Sequence, residues 1–129
     1  MRLKNVSLSY SVEVFKSLSE EARVRIINLL REKKEMCIVD LELVLGFTQA
    51  KASRHVTYLK NAGILGSKRV DSFVFYYIKD DAIQILDQIF VFIQKDPQLK
   101  KDMQDYETLF SNRELAINKL ESKRWLYGS

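Results

Sequence analysis

Cysteine, proline, histidine and tryptophan each occur once in this chain of 129 residues. A lone cysteine, Cys37, rules out an intrachain disulfide and points to a reducing compartment. One proline and four glycines leave little room for long loops, so a mostly helical chain is expected. The N-terminal stretch MRLKNVSLSYSVEVF lacks a continuous apolar run, and no signal peptide is read there. The longest apolar-rich stretch, Ala82 to Ile93, is broken by Gln84, Asp87 and Gln88 and is too short to cross a bilayer. No nucleophile–base pair, phosphate-binding glycine loop or carboxylate cluster with a matching base stands out, which argues against an enzyme. A cytoplasmic protein without a cofactor or a membrane partner is the expectation.

A further absence is local. From Thr48 to Leu65, TQAKASRHVTYLKNAGIL, there is no acidic residue, while Lys51, Arg54 and Lys60 are all cationic. The net charge of +4 is distributed unevenly. Residues 1–45 hold 8 Lys and Arg against 7 Asp and Glu, residues 46–79 hold 6 against 1, and residues 80–129 hold 7 against 9. The cationic excess sits in the middle third. A basic block on a near-neutral body is the pattern expected of a phosphate-binding surface.

Apolar spacing predicts a first helix from Ser7 to Leu18, with Val12, Phe15 and Leu18 on one side. Ser19 reads as an N-cap for a second helix from Glu20 to about Glu32, with Glu20 and Glu21 in its first turn. After a charged link from Arg31 to Glu35, a short third helix runs from about Ile38 to Leu45 and ends at Gly46. Thr48 then caps a fourth helix, Gln49 to about Ala62, which Gly63 ends. Two helices joined by a tight glycine-containing turn form a helix-turn-helix. Ile64 to Ile78 reads as a β-hairpin, with Asp71-Ser72 near a tip expected to exceed two residues. A fifth helix, Asp81 to about Lys95, carries apolar residues almost all round, as a helix shared between subunits would. Pro97 breaks it. Leu99, Met103, Tyr106 and Phe110 mark a sixth helix, and Ser111-Asn112-Arg113-Glu114 resembles a capping box for a further one. Trp125 and Tyr127 lie near the end. The expected fold is mainly α with a β-hairpin wing: a winged helix-turn-helix (α-α-α-α-β-β-α) over residues 1–96, with a C-terminal helical extension over 97–129.

At about 100° per residue, Ala52, Val56, Leu59 and Gly63 share one stripe of the fourth helix, the side facing the core. Ala50, Lys51, Arg54, Thr57 and Tyr58 share the outer side, and Gln49 stands at its N-terminal end. Small residues allow close approach to a major groove, arginine can fork onto guanine, and glutamine can pair with adenine. Ser53 and His55 fall on the flanks, placed for phosphates or for the neighbouring helix. Lys68 and Arg69 lead to the wing tip and are candidates for backbone phosphates, while Asp71 opposes phosphate contact at the tip itself.

These stretches resemble the ArsR/SmtB family of prokaryotic winged-helix repressors. SLSEEARVRIINLL resembles the family's second helix, QAKASRHVTYLKNAGIL its recognition helix, and FVFYYI the return strand of its wing. The resemblance implies a homodimer joined through the first and fifth helices, here Val12, Phe15, Ile83, Leu86, Phe90, Phe92 and Ile93. It implies a regulator, a repressor in most members, on a palindromic double-stranded operator. The competing expectation is a winged-helix protein-interaction module without specific DNA binding. The family's metal sites are broken here. Glu35-Met36-Cys37-Ile38-Val39-Asp40-Leu41 keeps the frame of one site but has Val39 where a second cysteine belongs. The fifth helix has Asp81 and Asp87 but no histidine. No metal ligand set is therefore expected, and the effector stays unassigned. Cys37 is expected to be a buried small apolar residue rather than a reactive thiol, with Asp40 capping or pairing near the helix start.

Overall fold

The computed structural model describes residues 5–120. Its elements are α1 (Leu8–Ser17), α2 (Glu21–Lys33), β1 (Glu35–Cys37), α3 (Ile38–Leu45), α4 (Gln49–Asn61), β2 (Leu65–Val70), β3 (Phe73–Ile78), α5 (Asp80–Phe90) and α6 (Pro97–Ser111). A short helical segment follows over 116–120. The architecture is the expected winged helix-turn-helix: α3 and α4 form the paired helices, and the β2–β3 hairpin is the wing.

Ser7 starts α1 by accepting the Tyr10 amide on its hydroxyl at 3.1 Å. The next helix, α2, is the central one. Ile26, Ile27, Leu29 and Leu30 are fully buried, since α3, α4, α5, α6 and the sheet all pack against it. Leu41, Leu59, Phe75, Leu86 and Phe90 complete the same core. Gly46 closes α3 with φ +70°, where an L side chain is disfavoured. Tyr10 of α1 donates its hydroxyl to the Gly63 carbonyl at 3.0 Å, tying α1 to the far end of α4.

The structure departs from the sequence reading in several places. The link after α2 contains a strand, β1, which pairs antiparallel with β3 (Met36 opposite Tyr76) and makes a three-stranded sheet in the order β1-β3-β2. The Ser19 hydroxyl does not cap α2 but donates to the Lys16 carbonyl at 2.7 Å, and α2 begins at Glu21. The wing tip is only two residues, because Val70 pairs directly with Phe73 and Asp71 takes the required positive φ of 56°. Aspartate tolerates that conformation, which compensates for the missing glycine. The fifth helix stops at Phe90 and is amphipathic, with Ala82, Leu86 and Phe90 turned inward. Ser111 is the last residue of α6 rather than a cap, and the next helical segment starts at residue 116. Trp125 and Tyr127 lie outside the described residues. The sixth helix starts at Pro97, and its Leu99 and Tyr106 enter the common core. No helix among the described residues is long and apolar enough to cross a membrane.

Candidate nucleic-acid interface

The Thr48 hydroxyl accepts the Lys51 amide at 3.1 Å and opens α4. Ala52, Val56 and Leu59 are buried and anchor the helix to the core. Away from that stripe, Gln49, Ala50, Lys51, Ser53, Arg54, Thr57 and Tyr58 are exposed. Seven of the eight candidate residues of α4 are thus open to solvent, Ser53 from its flank and Gln49 from its N-terminal end.

The eighth, His55, is not. It is 3% exposed and faces α2. Arg23 approaches its Nδ1 at 3.5 Å and Arg54 its Nε2 at 3.3 Å, with Glu20 at 3.6 Å. A neutral imidazole has one acceptor nitrogen, so only one guanidinium can donate to it at a time. Burial lowers the His55 pKa below 6.5; Glu20 opposes the shift, and Arg54, Arg23 and Lys51 reinforce it. Of the two roles open to this flank residue, the structure favours the neighbouring helix.

Sequence reasoning missed Arg23 as an organiser of the face. It is 6% exposed. Its Nε donates to the Ser17 carbonyl at 2.9 Å and one terminal nitrogen to the Lys16 carbonyl at 3.1 Å, which satisfies the open end of α1. Its guanidinium also lies 4.0 Å from the centre of the Tyr58 ring. One side chain thus joins α1, α2 and two residues of α4. Only its place in the arginine-containing second-helix motif hinted at this.

The basic groups differ in how free they are. Lys51 lies over the Phe47 ring at 4.4 Å. Lys68 pairs with Glu35 of β1 at 2.5 Å. Among the described residues, no acidic side chain pairs with Lys51, Arg54, Lys60 or Arg69. The missing counter-charge noted along Thr48 to Leu65 is therefore not supplied by the acidic side chains of the described residues. On the wing, Arg69 is the less encumbered cation.

The residues expected between subunits divide into two groups. Leu86 and Phe90 are fully buried within the chain itself, which corrects their assignment to an exposed contact face. Val12 and Phe15 are exposed, with Leu8 in line at helical spacing, and Phe92 is 88% exposed in the turn after α5. Ile83 and Ile93 are half-buried. Leu8, Val12 and Phe15 thus form an exposed apolar row along one side of α1.

Cys37 is 2% exposed. Burial pushes its thiol up to about 11, so it is protonated near neutrality and a poor nucleophile. The Asp40 carboxylate beside it is also buried and accepts the amides of Ala116 and Ile117 at 2.6 and 3.2 Å. Asp40 thus caps the last helical segment rather than its own. Burial, partly offset by these bonds, raises its pKa. Among the described residues, no three or more His, Cys, Asp or Glu side chains converge.

A sequence profile described as "Bacterial regulatory protein, arsR family" matches residues 20–67. The chain is 35% identical over 74 residues to the arsenic resistance transcriptional regulator ArsR1 of Pseudomonas putida, a match covering 57% of this chain and 58% of that protein. It thus spans about three fifths of that relative's length. It is 33% identical over 87 residues to the arsenical resistance operon repressor of Escherichia coli, covering 64% of this chain and 74% of the relative. Among solved structures, a homodimeric winged helix-turn-helix DNA-binding domain from Mycobacterium bovis superposes with a TM-score of 0.61 at 22% identity, covering 68% of this chain and 82% of the other. That last likeness concerns the fold alone.

Proposed function

Because the chain belongs to the arsR family of bacterial regulatory proteins, we propose that it is a DNA-binding transcriptional regulator, a repressor acting as a homodimer on a palindromic operator. The observation that carries this reading is the outer face of α4, where Lys51 and Arg54, which pair with no acid among the described residues, stand beside small and amide-bearing residues. A major groove about 12 Å wide admits such a helix. Arg54 and Gln49 would meet base edges; Ala50 would permit close approach; Lys51, Ser53, Thr57 and Tyr58 would meet base edges or the flanking backbone. Arg69, and Lys68 once released from Glu35, would rest on phosphate. His55 would act from behind, its one acceptor nitrogen taking either Arg54 or Arg23. Residues 1–96 would form the DNA-binding and dimerisation unit. Leu8, Val12, Phe15 and Phe92, with Ile83 and Ile93 behind them, would join the protomers.

Selection of bound sequences from random duplex DNA tests this reading. A palindrome should be enriched, with half-site centres about 34 Å apart or a multiple of that distance, as two-fold symmetry requires. A pool that stays random through repeated rounds contradicts it and favours a protein-interaction module.

A further inference from the structure

We propose that the segment from Pro97 to Leu120 is a brace that sets the angle of the helix-turn-helix, attached through Asp102 at one end of α3 and Asp40 at the other. The inference rests on the DNA-binding reading above. At the C-terminal end, the Asp102 carboxylate on α6 is fully buried and takes both Nε and a terminal nitrogen of Arg25 at 2.9 Å each. Gln98 donates to the same carboxylate at 2.9 Å. The engaged terminal nitrogen of Arg25 also donates to the Leu45 carbonyl at 3.3 Å. Leu45 is the last residue of α3, and its carbonyl has no successor within the helix to bond. Arg25 therefore carries the grip of α6 onto the end of α3. At the N-terminal end, Asp40 in the first turn of α3 holds the amides of Ala116 and Ile117. One helix is tied at both ends to the same extension.

The connection continues toward the DNA face. The Arg25 guanidinium lies 5.2 Å from the centre of the Phe47 ring, and Lys51 stands at 4.4 Å from that ring. Phe47 is in the turn between α3 and α4, and Lys51 is in the first turn of α4. Asp102, Arg25, Phe47 and Lys51 thus form an unbroken row of contacts from extension to recognition helix. Base readout requires its donors to be held within about 0.5 Å. Electrostatic attraction to phosphate does not. Asp102 and Asp40 are positioning residues: losing either should loosen the angle of α4 and erode sequence preference while leaving non-specific attraction intact.

The test compares affinity for the selected palindrome with affinity for random duplex in the full chain and in Asp102→Asn, Arg25→Lys and Asp40→Asn. The expected result is a fall of tenfold or more in the specific-to-random ratio, with random-duplex affinity and its salt slope equal to the parent's. A role in stability alone would lower both affinities together through the folded fraction. Folded variants that keep the parent ratio overturn the proposal. A parent without any sequence preference would instead overturn the DNA-binding reading. Hydrogen exchange on the unaltered chain supplies a second readout that no folding defect obscures. Coupling between sites is reciprocal, so the selected palindrome should slow exchange at the Ala116 and Ile117 amides and random duplex should not. Equal exchange with both duplexes contradicts the brace.

Discussion

Arg54 is unpaired by any acid among the described residues and shares its neighbour's imidazole at 3.3 Å, so DNA competes only with a weak contact. Arg54→Ala should cost about 1–3 kcal/mol against the selected site, the usual worth of a forked arginine–guanine contact. Fluorescence anisotropy titration checks this, and an unchanged affinity removes Arg54 from the readout. Arg69→Ala should weaken all duplexes alike and flatten the salt dependence by about one phosphate. Lys68→Ala should do less, since Glu35 already neutralises part of its charge. His55 gives a separate prediction. Its folded pKa lies below 6.5, so the unfolded chain binds the proton more readily. The stability it contributes is present above about 6.5 and is lost as pH falls through the folded value. It is the sole histidine, so its imidazole resonances need no assignment. An NMR midpoint at or above 6.5 would contradict the burial argument.

At the scale of elements, Arg23 fastens α4 to α1 and α2 through contacts at both ends of its guanidinium. Arg23→Ala removes the donors to two helix-end carbonyls and should destabilise the fold by about 1–3 kcal/mol. Denaturant unfolding measures it, and a change below about 0.5 kcal/mol, the range of ordinary surface substitutions, would mean water replaces those bonds freely. The helix pattern was legible because α2, α3 and α4 announce themselves by spacing, by Thr48 and by Gly46. The outer face of α4 was legible for the same reason, as the Ala52-Val56-Leu59 stripe fixes which way the rest must point. What escaped depended on long-range partners. A strand of three residues such as β1 exists only because β3 lies beside it. His55 sits at the border of the stripe, and its partners Glu20 and Arg23 lie more than 30 residues earlier in the chain. The apolar run after Asp81 looked two-sided because the turn following Phe90 is invisible to periodicity.

For the whole molecule, the exposed row of Leu8, Val12 and Phe15 together with Phe92 predicts a dimer at micromolar concentration. Phe15→Glu with Phe92→Glu should shift sedimentation toward a monomer without unfolding the core, because neither side chain contributes to it. Persistent dimers in that variant would place the interface elsewhere. The extension is integral to the molecule, since α6 shares its core and reaches the end of α3 through Arg25. On the reading proposed above, one face of α4 reads sequence while the surrounding charge supplies general affinity. The most direct measurement is duplex affinity across a range of salt, for the selected site and for random DNA, in the parent and in Arg54→Ala and Arg69→Ala. Arg54→Ala should collapse the preference for the selected site, and Arg69→Ala should lower both affinities and the slope together. Folded variants that bind both duplexes as the parent does, at every salt concentration, would contradict that reading.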